Sequence, residues 1–378
     1  MSSVTLERGV IHLGLDVHKD TITVGVLPAG AEGVAIDRIC SDPESVRRLI
    51  SRFPDRSLLR VCYEAGPTGY GLARQLWSMG VSCQVIAPSL VPVATGDRVK
   101  TDKRDARRLA RLHRAGELTA IAVPTPSQEA VRDLCRARLD LLVDLNRARR
   151  RLLSLCLRHG IVYQDGQNWT ARHRKWLGTV SFPEPAAAAT FAHYLGVIDV
   201  RDAQLGALEK DLMRWRAQPE FAEPTDRLAA YRGVAELTAL SLVSEVGDWR
   251  RFATAPQFMS YLGMVPSEHS SGLTQRRGHL TKAGNGELRR LLIESAWHYR
   301  HPPTIGVQLA SRQRRVEAET IARSWKAQQR LCGRFHRLSN RIQLPQRGGQ
   351  RGGPGARRVL VCGDDRLTIP PATTRFFQ

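Results

Sequence analysis

Residues 11 to 27 leave the backbone few choices: IHLGLDV, then HKD, then TITVGVL. The two apolar, β-branched runs form strands, and the polar turn His18-Lys19-Asp20 between them makes a hairpin. AIDRIC, after Gly30 and Gly33, is expected as a third strand. A helical segment from Pro43 to Arg52, a buried strand in LLRVCYEAG, a helix from Tyr70 to Met79 and a last strand in SCQVIAP follow. A hairpin whose strands then alternate with helices specifies an α/β sheet over residues 11 to 120.

The pattern changes from Ser127 to Leu157, where Val131, Leu134, Cys135, Leu142, Leu145, Leu152, Leu153 and Cys156 recur at helical spacing with arginines between them. Such a long helix suits self-association, a spacer between domains, or packing on its own domain. Residues 160 to 225 read as helical. LAAYRGVAELTALSLVSEVGDW reads as two helices with Gly233 at the turn, and FATAPQFMSYLGMVP continues the unit. A glycine-rich basic loop, SSGLTQRRGHLTKAGNGELRR, then leads into an apolar helix through Trp297. LPQRGGQRGGPGARR, from Leu344 to Arg358, has too little apolar content to fold and reads as a disordered basic arm.

The 378 residues suffice for two or three domains, and their formal net charge is +21. An excess of that size is most naturally matched by a polyanion, nucleic acid first and an anionic membrane second. No segment approaches the roughly 20 apolar residues a membrane span needs, and MSSVTLERGV lacks the apolar core of a signal peptide. The expected location is therefore the cytoplasm. Seven cysteines without a CxxC pair indicate neither a zinc finger nor a disulfide framework.

Asp102 and Asp105 stand in KTDKRDARRLAR, where nearly every other polar residue is a base. Acids spaced among arginines on a helix are commonly a solvated face. Three residues along a helix is a rotation of about 300°, however, so the two aspartates share a side that borders Ala106, Leu109 and Ala110 and leans toward the sheet. Asp16 ends the first strand and Glu64 ends the strand of VCYEAG. An acid on the first strand, an acid closing the central strand and an Asp-x-x-Asp helix across them is the arrangement of RNase H-like nucleases. Four converging carboxylates require compensating cations, and two Mg²⁺ ions about 4 Å apart are the expected solution for phosphoryl transfer. Arg98, Lys100, Lys103, Arg104, Arg107 and Arg108 then form a rim that holds nucleic-acid backbone.

GLDVHKDTITVGV, YEAGPTGYGLARQL, VIAPSLVPVATGDRVKTDKRDARRLARL and YLGMVPSEHSSGLTQRRGHLTKAGNGELRRLLIESAW together resemble the DEDD transposases of the insertion-sequence 110 family, over roughly residues 10 to 340. The resemblance implies a RuvC-like α/β catalytic domain of RNase H-like fold over 10–126 and a helical or coiled-coil linker over 127–225. It further implies a mainly α C-terminal transposase domain over 226–340, while the composition of 341–378 reads as a disordered basic tail. It carries the metal ligands onto Asp16, Glu64, Asp102 and Asp105 and a serine nucleophile onto Ser271, before Gly272. Ser270 is adjacent, and only the family pattern separates the two. The resemblance also implies donor and target DNA, a noncoding bridge RNA that pairs with both, a dimeric or tetrameric assembly, and work at the bacterial nucleoid. Around the serine, Arg276, Arg277, His279 and Lys282 are placed to meet phosphate, and Asn285 and Gly286 to offer backbone N–H groups at the start of the next helix. After IARSWKAQQRLCGRFHRLSN the chain departs from the family pattern, turning to glycine and arginine instead of an apolar helix.

The resulting expectation is an RNA-guided DNA recombinase that forms a phosphoserine intermediate. A metal-dependent junction endonuclease using water, and a binding protein whose acids are relics, are the rivals.

Overall fold

A computed structural model of the chain describes residues 9–92, 101–268, 271 and 276–341. It divides into two compact units, Met1–Pro124 and Thr125–Gln378.

The first unit is a five-stranded mixed sheet. β1 (Ile11–Val17), β2 (Thr21–Leu27) and β3 (Ala35–Cys40) form an antiparallel meander; β4 (Leu59–Glu64) lies parallel to β1, and β5 (Ser82–Ile86) parallel to β4. The order across the sheet is β3-β2-β1-β4-β5. The turn after β1 is closed by the His18 N–H, which donates to the Thr21 carbonyl at 2.9 Å. Two crossover helices, α1 (Pro43–Ser51) and α2 (Gly71–Ser78), cover one face; Val46, Leu49, Ile50, Ala73 and Leu76 pack with Leu13, Leu15, Val61 and Tyr63.

The other face receives α3 (Asp102–Ala115). Thr101 caps its first turn and Gly116, at φ 73°, ends it in the left-handed conformation. Ala106, Leu109 and Ala110 are buried, and the helix backbone comes down onto two glycines that face one another across β1 and β2, Gly14 and Gly25. A Cβ on Gly14 would lie 2.4 Å from Ala110 N, and one on Gly25 would lie 2.6 Å from the Ala106 carbonyl oxygen. This glycine window sets how close α3, with its two aspartates, sits to the strands.

The second unit is mainly helical. α4 (Pro126–Arg158) opens with a capping box between Thr125 and Gln128 and packs antiparallel on α6 (Pro185–Arg216). The direction follows from the pairs: Arg138 meets Glu209 at 2.6 Å and Arg149 meets Asp202 at 3.0 Å. The long helix thus packs within its own unit. Residues 160 to 225, expected as helical, hold α5 (Ala171–Leu177), α6 and α7 (Pro219–Ala229), but 159–170 is a run of turns. Gly160 at φ 71° stops α4, and Gly166 and Trp169 also take positive φ.

Between α7 and α8 (Glu236–Val246), Gly233 makes the expected turn at φ 84°; a Cβ there would lie 2.3 Å from the Ser295 carbonyl oxygen. α9 (Ala255–Tyr261) follows. The stretch expected as a glycine-rich loop contains a short hairpin, β6 (Pro266–Glu268) with β7 (Arg277–Leu280), before α10 (Gly286–Ala296). α11 (Val307–Gln313) and α12 (Ala318–Arg341) complete the unit. The arm Leu344–Arg358 lies outside the described residues. No helix among them is long and apolar enough to cross a membrane. The six described cysteines are unbonded.

Candidate active site

Side-chain alternation determines which strand residues look toward α3. Gly14 faces that helix, and so does Cys62, whose thiol lies 3.7 Å from the Leu109 carbonyl oxygen. Counting on by two reaches Asp16 on β1 and Glu64 on β4, so both acids stand on the α3 side of adjacent parallel strands. They lie one step past Leu15 and Tyr63, which pair across the ladder. α3 brings its first turn over the same strands, with Asp102 half exposed and Asp105 buried. Acids in a first turn are also where the helix dipole favours negative charge.

The acids fall into two groups. In one, His18 Nε2 lies 3.2 Å from Asp16 Oδ2 and 3.6 Å from Asp102 Oδ1. In the other, an Arg108 guanidinium nitrogen lies 3.2 Å from Asp105 Oδ1 and 3.8 Å from Glu64 Oε1. Burial pushes the Asp16 carboxyl above its ordinary value, His18 opposes the rise, and the charges of Asp102 and Asp105 add to it. Asp16 therefore feels both members of the helix pair, and its ionised form calls for a nearby cation.

Sequence reasoning misses both His18 and the inward turn of Arg108. A signal for His18 exists, since Asp16-x-His18 at period two places both side chains on one side of a strand. Arg108, expected on the outer rim, is only 26% exposed and serves as counter-charge to two acids. Lys103, Arg104, Arg107 and Arg111 are exposed on α3, while Arg98 and Lys100 lie outside the described residues.

A divalent cation fits this donor set. One ligand atom each from Asp16, His18 and Asp102 lie within 4.8 Å of one another, and carboxylate oxygens with an imidazole nitrogen are ordinary ligands for such ions.

In the second unit, Ser271 is exposed in the stretch joining β6 to β7; Ser270 and Gly272 lie outside the described residues. Arg276, Arg277, His279 and Lys282 are exposed as well. The base of this stretch is tightly built: a Cβ on Gly284 would lie 1.9 Å from the Tyr261 carbonyl oxygen. Asn285 caps α10 by accepting from Glu287 N at 2.9 Å and Leu288 N at 3.2 Å, and its Nδ2 donates to Glu245 Oε2 at 2.9 Å. Glu245 is buried on α8 and receives Arg136 of α4 at 2.7 and 3.1 Å.

Comparison with known proteins gives a consistent result. Residues 13–159 match an IS110-type DEDD transposase family, and residues 225–305 match the family described as Transposase IS116/IS110/IS902. A Sinorhizobium fredii protein named as a transposase, y4qE, is 40% identical over 332 residues, covering 87% of this chain and 82% of its own. The transposase for insertion sequence element IS1533 of Leptospira borgpetersenii is 32% identical over 334 residues, covering 87% and 96%. The transposase for insertion sequence element IS1111A of Coxiella burnetii is 27% identical over 229 residues, covering 59% and 61%.

Proposed function

The chain belongs to the IS110 family of insertion-sequence transposases, enzymes that act on DNA, and from that premise we propose that it exchanges DNA strands with a carboxylate metal site and a serine nucleophile. In this reading Asp16, Glu64, Asp102 and Asp105 are the metal ligands and Ser271 is the nucleophile. The observation that carries the metal site is the convergence of donor atoms from β1 and α3 beside an Asp16 carboxyl that burial and neighbouring acids push toward its neutral form. A divalent cation held there, Mg²⁺ in this reading, would neutralise phosphate charge and polarise the phosphorus under attack.

The protein's own groups do the rest. Ser271 Oγ attacks a DNA phosphate; a phosphoserine ester forms, one phosphorus–oxygen bond to deoxyribose breaks, and the departing oxygen takes a proton to become a hydroxyl. A free hydroxyl from another DNA end then attacks the phosphoserine, and the serine oxygen leaves with a proton restored. Each step exchanges one phosphate ester for another, so no nucleotide hydrolysis is needed. Arg276, Arg277 and Lys282, which follow the serine in sequence, and Lys100, Lys103, Arg104, Arg107 and Arg108, which stand in the same sequence run as Asp102 and Asp105, hold phosphate oxygens or balance the carboxylates. Sequence choice lies in a noncoding bridge RNA paired to donor and target DNA, and the working form is a multimer in the cytoplasm, at the nucleoid. The net charge of +21 supports a polyanionic, nucleic-acid load.

A denaturing gel of protein trapped on a nicked substrate tests the serine step. Ser271→Ala should abolish both the covalent adduct and strand exchange while metal and DNA still bind. Efficient cleavage by this variant without any adduct would assign the chemistry to water and make the protein a hydrolytic junction endonuclease. An adduct that persists in Ser271→Ala and vanishes in Ser270→Ala would move the role one residue.

A further inference from the structure

His18 opens the tight turn after β1, and its backbone is fixed by the hydrogen bond from its N–H to the Thr21 carbonyl at 2.9 Å. It is absent from the four-acid set above, yet its Nε2 is placed between two of those acids, 3.2 Å from Asp16 Oδ2 and 3.6 Å from Asp102 Oδ1. Two donors bound to one first-row cation at about 2.1–2.2 Å, about 90–110° apart, are themselves separated by about 3.0–3.6 Å. Both observed spacings fall in that range, and the Asp16 and Asp102 oxygens that complete the group lie within 4.8 Å of one another.

An ion pair alone explains this placement less well. The His18 side chain is 54% exposed and that of Asp102 is 50% exposed, and pairs in such surroundings contribute little. Asp16 is the more enclosed partner at 22%, so a cation drawn to it meets the imidazole on its solvent side.

Resting on the reading that the acids bind a divalent cation, we propose that His18 Nε2 is a direct ligand of the ion shared by Asp16 and Asp102, and that this nitrogen biases the site toward Mn²⁺ over Mg²⁺. Mg²⁺ holds oxygen ligands and water strongly, whereas first-row transition ions accept imidazole. His18 binds as the neutral tautomer with its proton on Nδ1, which leaves the Nε2 lone pair for the metal.

Mn²⁺ added to the full-length chain is the probe. Electron paramagnetic resonance counts the bound ion through loss of the free-ion signal, and pulsed measurements detect coupling to a ligand ¹⁴N. The wild-type protein should show that coupling, and His18→Gln and His18→Ala should lose it. Both variants should keep the wild-type thermal transition, bind Mn²⁺ about 10-fold or more weakly, and change Mg²⁺ affinity, measured by competition, less than about three-fold. Mn²⁺ bound without ¹⁴N coupling, or bound as tightly by His18→Ala as by the wild type while Asp102→Ala has lost it, would exclude His18 and leave the acid site standing. Absence of Mn²⁺ and Mg²⁺ uptake by the wild-type protein would overturn the acid site itself, and this ligand with it.

Discussion

In the first unit the chemistry-bearing acids ride on elements whose backbones touch: β1 and β2 present glycines to α3, and Asp105 is 8% exposed beneath that helix. In the second unit the Ser271 side chain is exposed between two short strands, and close packing is found further on, where Gly284 meets Tyr261 and Asn285 meets Glu245. The contrast follows from what each group must do. Four carboxylates repel one another and would spread unless the fold held them, so their scaffold has to be stiff. A hydroxyl carries no charge to restrain, and on the proposed reading a serine that forms a covalent bond to DNA would have to be reachable.

The largest effects test whether the acids act as a unit. Asp16→Ala, Glu64→Ala, Asp102→Ala and Asp105→Ala should each lower recombination about 10²–10³-fold or more while the thermal transition moves little or rises, because removing an acid relieves repulsion. Near-normal activity in three of the four would dissolve the shared site.

The glycine window separates the presence of the acids from their position. Gly25→Ala places a methyl 2.6 Å from the Ala106 carbonyl oxygen, and Gly14→Ala places one 2.4 Å from Ala110 N, so α3 must move. Each substitution should cost about 3 kcal/mol of stability in a denaturant titration, at the upper end for overpacking, and should depress activity with every acid still present. Wild-type activity in a stable Gly25→Ala protein would mean that the height of α3 above the sheet does not govern the chemistry.

How much of this is legible in the sequence depends on how local each signal is. IHLGLDV and TITVGVL announce their own strands, and the periodicity of α4 announces a helix, because burial of one face is written into nearby residues. The acid constellation is legible because strand ends and an Asp-x-x-Asp spacing carry direction. The glycine window is not, since Gly14 and Gly25 acquire meaning only when the hairpin pairs them and α3 arrives from about 80 residues further on. The hairpin β6–β7 escapes because PSE and RGHL offer no apolar alternation. His18 reads as a turn residue, and only the fold brings Asp102 beside it.

The basic rim sharpens the comparison on the side of nucleic acid. Lys103, Arg104 and Arg107 are exposed, while Arg108 turns inward to Asp105 and Glu64. Replacing the first three with Gln should weaken DNA binding and lower the salt-dependence slope by up to about 2.7, near 0.9 for each phosphate no longer neutralised. Arg108→Gln should instead leave that slope nearly unchanged and reduce activity, because it uncovers the repulsion between two acids. A slope unaltered in the triple variant would remove this face of α3 from the DNA-binding surface.

The smallest expected effect concerns the base of the serine stretch. Asn285 accepts hydrogen bonds there from Glu287 N and Leu288 N, and it donates one to Glu245 at 2.9 Å. Asn285→Ala removes the helix cap at a cost of about 1 kcal/mol, with a further contribution from the missing donor to Glu245. Glu245 keeps its hydrogen bonds from Arg136, at 2.7 and 3.1 Å, so its charge is not left stranded. Asn285→Ser restores a capping oxygen without a donor of the same reach and should recover part of the loss. Asn285→Asp also caps, but sets a second carboxylate against a Glu245 side chain that is only 5% exposed, and should fall below Ser. All three variants should keep strand-exchange activity within about tenfold of wild type at a temperature where they are folded. A loss from Asn285→Ala as deep as that from Asp105→Ala, in a protein shown to be folded, would mean that the nucleophile is held as strictly as the acids, and the contrast between the two units would fail.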